Sequence, residues 1–348
     1  MKHKNPAMTK HWNIDWPYGH FDIYERGGML GGVTLTDGRR EVQPFYEPPW
    51  LVEEAERPTG LLAHMRSEFP CLPFGTPWLS DAVVEEWRDA VAANANDGDS
   101  RIDESDDLLH GYGCIADWNL VRKNSLEVEL ALEYPETSSI RRVSRAIRAV
   151  PDRPAIDFQF VVEARERTRR PLGLHPMLKL PSLAGAMTIN PGVFRFGVVH
   201  PGGPEPGVSR AMPGAFFSEL GKVPLSDGQA VAFDCLPFEY DTEEIIQLCG
   251  TDGCVDIADE SGVAYRLSWD ASVLPSLLLW ISNRGRQQGP WNGRNLCLGI
   301  EPIASAFELG CRASLSDNPI NQRGVSTAVL IEPGNPVVIN YRFEALKI

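Results

Sequence analysis

Three titratable residues stand where such residues are costly. Glu301 closes the apolar run LCLGI and is followed at once by Pro302, His110 lies in LLHGYGCIADW, and His175 lies in PLGLHPMLKLP. A carboxylate at the end of a buried strand is expensive unless something pairs or uses it. Imidazole titrates near neutrality without perturbation, so a carboxylate and an imidazole brought together can move protons at physiological pH. The same trio would also serve as a two-histidine, one-carboxylate metal triad, because such ligands can come from distant strands. Each residue has a plainer reading as well. An isolated histidine is commonly a hydrogen-bonded structural residue, and an arginine such as Arg66 commonly belongs to a buried ion pair.

The elements that must carry these residues read as strands. The 31 glycines and 28 prolines are spread along the chain, a pattern of many short strands joined by turns. The segments 155–163, 228–235, 253–257, 263–269 and 335–344 alternate or run apolar at strand length, and turn signals at 36–38, 226–228, 251–253 and 332–336 fall between such runs. Helical periodicity is rare. The spacing predicts a helix over 80–94, with Ser80 as cap and Val83, Val84, Trp87 and Val91 on one face, and a weaker one around 141–149. The acidic stretch 92–108 reads as an exposed, solvated loop close to the mouth of a site, and 200–216 as an irregular connection. No repeat and no long linker divides the chain. One domain over 1–348 is expected, with 1–50 as an N-terminal extension packed on it. Gly27, Gly28, Gly31 and Gly32 have the wrong spacing for a dinucleotide loop and precede no βαβ unit.

Composition narrows the partners. A formal charge of −14 argues against nucleic acid or an anionic membrane, both of which need basic surfaces. No run approaches the ~18 apolar residues of a membrane span. The opening segment MKHKNPAMTKHWNIDW has no apolar core of the kind a secretory signal carries. The seven cysteines follow no paired pattern; Cys249 and Cys254 flank a turn without a second pair to complete a zinc site. A cytoplasmic location with reduced thiols is the resulting expectation.

Four motifs occur in a set order: Arg66 before EFPCLPFG, His110-Gly111 with Trp118, Gly173-Leu174-His175-Pro176, and Glu301-Pro302. In this order and rough spacing the chain resembles the galactose mutarotase (aldose 1-epimerase) superfamily, over residues of about 60–310. It departs from the galactose mutarotases in the residues after His110-Gly111 and in MLKLP after His175-Pro176, and is closer to divergent branches that include hexose-phosphate epimerases. The resemblance implies an all-β fold, an antiparallel β-supersandwich with a few short helices and a site on the concave face of one sheet.

It also implies a reaction and its residues. Exchanging the anomers of an aldose requires a proton to leave the C1 hydroxyl while another reaches the ring oxygen, and then the reverse after rotation about C1–C2. By resemblance Glu301 is the base and His175 the acid, each catalytic. His110 and Arg66 would hold hydroxyls or the ring oxygen, with Arg66 pairing with Glu301 in the empty site. Asp241 is the best match for the sugar-binding aspartate. Trp118, Trp280 or Trp291 would stack on a sugar face, and Arg284, Arg286 and Arg294 would suit a phosphorylated sugar. The expected partner is a monosaccharide or sugar phosphate, with no cofactor and no metal, and the expected assembly a monomer or homodimer. Two alternatives stay open: a non-catalytic sugar-binding protein of the same fold, and the metal-dependent isomerase.

Overall fold

Alternation of apolar and polar side chains builds most of the chain into strands. The computed structural model describes residues 10–53, 58–93 and 102–348. Two large sheets dominate. The first has nine strands in the order Cys235–Leu236, Met187–Asn190, Cys254–Asp259, Ala264–Trp269, Val337–Lys347, Ala155–Ala164, Ile140–Ala149, Glu127–Glu133 and Asn119–Lys123. The second has eight, with Thr242–Cys249, Ser276–Asn283 and Leu296–Ala304 adjacent at its centre and Leu172–Leu174 and Met177–Lys179 both pairing with the last of these. Every pairing in both sheets is antiparallel. The fold class is the expected all-β supersandwich.

The sheets close on one core. Phe158, Phe160, Val162, Leu267 and Phe343 of the nine-stranded sheet meet Ile246, Leu248, Leu277, Leu279, Leu298 and Ile300 of the eight-stranded one. The alternate residues of the central strands point the other way, into a second core. There Ile245, Leu278, Trp280, Cys297 and Ile303 pack under Leu61, Met65, Trp87, Trp291 and Phe307. The eight-stranded sheet is therefore covered on both faces, and the strands Thr242–Cys249 and Ser276–Asn283 are buried at every residue. A four-stranded N-terminal sheet, His11–Trp16, Gly19–Tyr24, Leu30–Thr36 and Glu41–Val42, sends Phe21, Ile23, Leu30 and Leu35 into the first core.

The predicted turns fall between strands, with Gly38, Gly228, Gly253 and Gly334 at positive φ, where glycine lacks the steric cost of a Cβ. Other expectations need correction. Residues 141–149 belong to the strand Ile140–Ala149, not a helix; Arg145 occupies a buried position of the alternation and disguises its period of two. The run 228–235 yields two two-residue strands, Ala230–Val231 and Cys235–Leu236. The helix expected over 80–94 spans Glu85–Ala92, and Ser80 begins a separate 3-10 turn, Ser80–Ala82, without capping it. Within 92–108, residues 94–101 lie outside the described residues. Asp106 is not solvated: it is buried, and both of its oxygens lie 3.0 Å from the buried Arg170 guanidinium.

Candidate active site

The register of the three central strands sets side chains in rows on the face turned away from the nine-stranded sheet. One row holds Ile245, Trp280 and Gly299, and the next places Leu278 opposite Glu301. Gly299 matters for its lack of a side chain. A Cβ there would collide with Glu301 Oε1, so the glycine leaves the space in which the carboxylate lies. His175 follows the strand Leu172–Leu174, and its ring stacks on Phe69 at 4.6 Å. His110 comes from the far side, on a loop whose backbone N–H donates to Gly75 O at 2.9 Å while the Gly75 N–H donates to His110 Nδ1 at 3.3 Å. With Nδ1 accepting, the neutral ring carries its hydrogen on Nε2. The two imidazoles meet edge to face, 5.0 Å between centroids.

These side chains line one cavity of about 250 Å³. That is below the range of drug-sized ligand pockets and fits a single small ring. Leu61, Leu62, Met65, Leu109 and Trp291 form much of its apolar wall, and Glu301, Glu308, His110, His175 and Arg286 are its titratable members. Trp280 is held in place from behind: its indole N–H donates to Glu243 Oε1 at 2.6 Å, and Ser282 Oγ donates to Glu243 Oε2 at 2.9 Å. Trp291 lies 6.0 Å from Trp280, nearly perpendicular.

Electrostatics separate the four central groups. Burial, reinforced by the nearby Glu308, holds the Glu301 carboxyl well above the usual carboxylate range and favours its protonated form. Burial, reinforced by His110, holds His175 well below the usual imidazole range, and burial brings His110 down to about 4. Burial acts to raise Glu308 too, but the His200 imidazole outweighs it and keeps this carboxylate below its ordinary value. His175 Nε2 lies 3.6 Å from Glu301 Oε1, too far for a hydrogen bond. His175 Nδ1, Glu301 Oε1 and Glu308 Oε2 are buried without a hydrogen-bond partner. Native interiors rarely leave such atoms unsatisfied; three in residues that line one cavity point to a polar ligand.

The structure thus brings together six of the eleven residues named from the sequence: Glu301, His175, His110, Trp280, Trp291 and Arg286. It does not bring in the others. Arg66 lies over the Tyr24 ring at 4.0 Å and pairs with Glu47 at 3.4 Å, so the expected pairing with Glu301 is not made. Asp241 and Arg284 pair with each other at 2.8 Å, beyond the ends of their strands. Trp118 is buried, with its indole N–H on Gly113 O at 2.9 Å and its face against Gly28. Arg294 pairs with Glu53 at 2.6 Å. Among the loop arginines only Arg286 lines the cavity, and it faces Glu243 at 3.5 Å and Glu205 at 3.6 Å. Glu308, Glu243 and His200 were missed. Among the described residues no three His, Cys, Asp or Glu side chains are disposed to hold a metal ion, which leaves the metal-triad alternative without a donor geometry. Nor is any helix among them long and apolar enough to cross a membrane.

No protein-family model and no curated protein sequence matches the chain. Solved structures do. A provisionally assigned aldose 1-epimerase from Escherichia coli K12 superposes with a TM-score of 0.64 at 16% identity, covering 98% of this chain and 100% of that one. The GalM/aldose epimerase homologue from C. elegans gives 0.63 at 13%, covering 98% and 100%. A galactose mutarotase-like protein from Lactobacillus casei gives 0.57 at 12%, covering 97% and 100%. At such identities the likeness is one of fold.

Proposed function

We propose, from the premise that the chain carries the galactose mutarotase-like fold, that it is an isomerase exchanging the anomers of a free aldose. The observation that carries this reading is the Glu301–His175 pair: 3.6 Å apart, on the wall of a monosaccharide-sized cavity, each with a buried polar atom that no protein group satisfies. The names borne by the structural neighbours support the same reaction class. Charge supports an unphosphorylated substrate. Arg284 and Arg294 are paired outside the cavity, and Arg286 already faces two carboxylates.

The reaction runs on one proton held between two groups. Passed from Glu301 to His175, it gives a carboxylate and an imidazolium without changing the charge of the cavity. The carboxylate takes the hydrogen of the C1 hydroxyl while the imidazolium protonates the ring oxygen. The C1–O5 bond breaks, C1 becomes the aldehyde carbon, and the pair is left as Glu301 acid and neutral imidazole. Those are the states that burial favours in the empty site. After rotation about C1–C2 the same transfers run backwards and close the ring on the other face. His110, with hydrogen on Nε2, donates to a sugar oxygen, and Trp280 or Trp291 offers an apolar face to the ring.

The test is proton exchange NMR on a panel of aldoses and hexose phosphates, with wild type and Glu301→Gln. Faster exchange between α and β signals for one free sugar, cut by about 10²–10⁴-fold in the variant, is expected for loss of acid–base catalysis. Acceleration unchanged in Glu301→Gln removes this residue from the reaction. Line broadening without exchange selects the sugar-binding alternative.

A further inference from the structure

A second carboxylate–imidazole pair, which the reaction above does not use, stands at the cavity wall: Glu308 lines the cavity and His200 is buried behind it. Glu308 follows Phe307, a non-glycine residue at φ 49°, which directs the chain out of the Glu301 strand. The corner is fixed closely. The Phe307 N–H donates to Gln247 Oε1 at 2.8 Å, Ser305 Oγ donates to Phe307 O at 2.6 Å, and the Thr76 N–H donates to Glu308 O at 3.0 Å. A Cβ on Gly75 would collide with the Glu308 carbonyl. Behind the carboxylate stands His200, fully buried between Trp78 and Phe307 at ring distances of 4.7 and 5.1 Å. The Gly202 N–H donates to His200 Nδ1 at 3.1 Å, so the hydrogen of the neutral ring is on Nε2. Nε2 lies 3.1 Å from Glu308 Oε1, off the line of an ideal hydrogen bond.

One oxygen of Glu308 is thus turned to His200, and the other, Oε2, is buried without a partner in a residue that lines the cavity. We propose that Glu308 Oε2 selects the substrate by accepting a hydrogen bond from one sugar hydroxyl, with His200 as the residue that positions it. This rests on the reading of the cavity as a sugar site. It gives to Glu308 the part that the sequence suggested for Asp241, which is committed to Arg284 outside. A fixed anionic acceptor on an otherwise largely apolar wall discriminates strongly. A sugar lacking that hydroxyl leaves a buried oxygen unsatisfied, and a phosphate in its place meets like charge.

Affinities of the full-length chain for a free aldose and its set of monodeoxy analogues, measured by NMR titration for wild type and Glu308→Gln, test the proposal. In the variant His200 Nε2–H draws the amide oxygen to itself, so the amide NH2 faces the ligand and acceptance is lost. The parent sugar is expected to bind the variant about 10- to 100-fold more weakly, the range of a hydrogen bond to a charged group. One deoxy analogue, the one that lacks the hydroxyl held by Glu308, binds both proteins equally. Equal affinity of both proteins for every sugar overturns the proposal. Failure of wild type to bind any sugar overturns it together with the sugar-site reading. Binding without anomeric exchange removes only the catalytic reading, since the affinities still decide Glu308. For His200 the readout is the pH profile. His200→Phe removes the largest influence that opposes burial of Glu308 and raises its pKa, so sugar affinity falls at a higher pH than in wild type as pH is lowered. His200→Gln supplies a donor and restores the wild-type profile. A wild-type profile in a folded His200→Phe protein removes the positioning role.

Discussion

At the residue scale the site depends on one glycine and one buried acid. Gly299 makes room for the Glu301 carboxylate, so Gly299→Ala pushes that carboxylate off its present position without touching the strand's hydrogen bonds. The folded variant is expected to retain a wild-type far-UV spectrum and to lose at least about 10²-fold in anomeric exchange, the lower range for a misplaced acid–base group. Unchanged exchange would mean that the carboxylate acts from elsewhere. Burial of Glu301 also has a cost in stability whose sign can be worked out. Its folded pKa lies above the ordinary 4.5, so its contribution is complete below about pH 4.5 and is lost as pH rises through the folded value. His110 and His175 act in the opposite sense: their folded pKa values lie below 6.5, and their contribution is lost as pH falls. Glu301→Gln removes only the first effect. Its melting temperature should match wild type near pH 4 and exceed it increasingly as pH rises above 4.5 toward the folded pKa; a difference that stays constant with pH contradicts the raised pKa.

At the scale of elements, the period of two explains both what the sequence displayed and what it hid. Glu301 and Trp280 are legible because each stands at the end of an apolar run of strand length, LCLGI and SLLL. The histidines stand out by type among apolar neighbours. Asp241 and Arg284 looked suitable by proximity to those strands. Yet Asp241 lies four residues before Ile245 and Arg284 four after Trp280, roughly 13 Å along the strands at the usual rise, which takes both past the cavity. Arg66 was misjudged for another reason: its partners Tyr24 and Glu47 come from the N-terminal segment, and no local window links them. Glu243 shows the same limit. In the sequence it is one of two adjacent glutamates; in the fold it holds the indole of Trp280 and faces Arg286. Glu243→Ala strands the buried indole N–H and Ser282 hydroxyl, at about 1–3 kcal/mol for an unsatisfied group. Urea unfolding should show that loss together with weaker sugar binding. Full stability would mean that these groups find other partners.

At the scale of the molecule, a buried ion network ties the parts that flank the site. Arg145, in the nine-stranded sheet, donates to Gly28 O of the N-terminal segment at 2.7 Å and to Glu68 Oε2 at 2.6 Å, and Tyr341 OH donates to Glu68 Oε1 at 2.7 Å. Glu68 directly precedes Phe69, on which His175 stacks. Arg145→Met leaves Glu68 buried without its counter-charge, and a loss of about 3–5 kcal/mol is expected from denaturant unfolding. A loss of less than about 1 kcal/mol, no more than a surface pair is worth, would show that other groups take over the role of Arg145. The wealth of strands was readable from turns and strand-length runs, and the supersandwich through the resemblance carried by the four motifs. This network was not, because a charged residue at an inward position breaks the very pattern by which strands are recognised.

The turn at Gly75 and Thr76 has one more consequence. It grips His110 through side chain and backbone and grips Glu308 through its carbonyl, so two fixtures of the cavity hang from a single bracket. An alteration of that bracket shifts both in step relative to the Glu301–His175 pair, which is mounted on other strands. The gauge of the cavity, meaning the span between where a sugar is gripped and where it reacts, is therefore set by how one short turn is seated against the sheet.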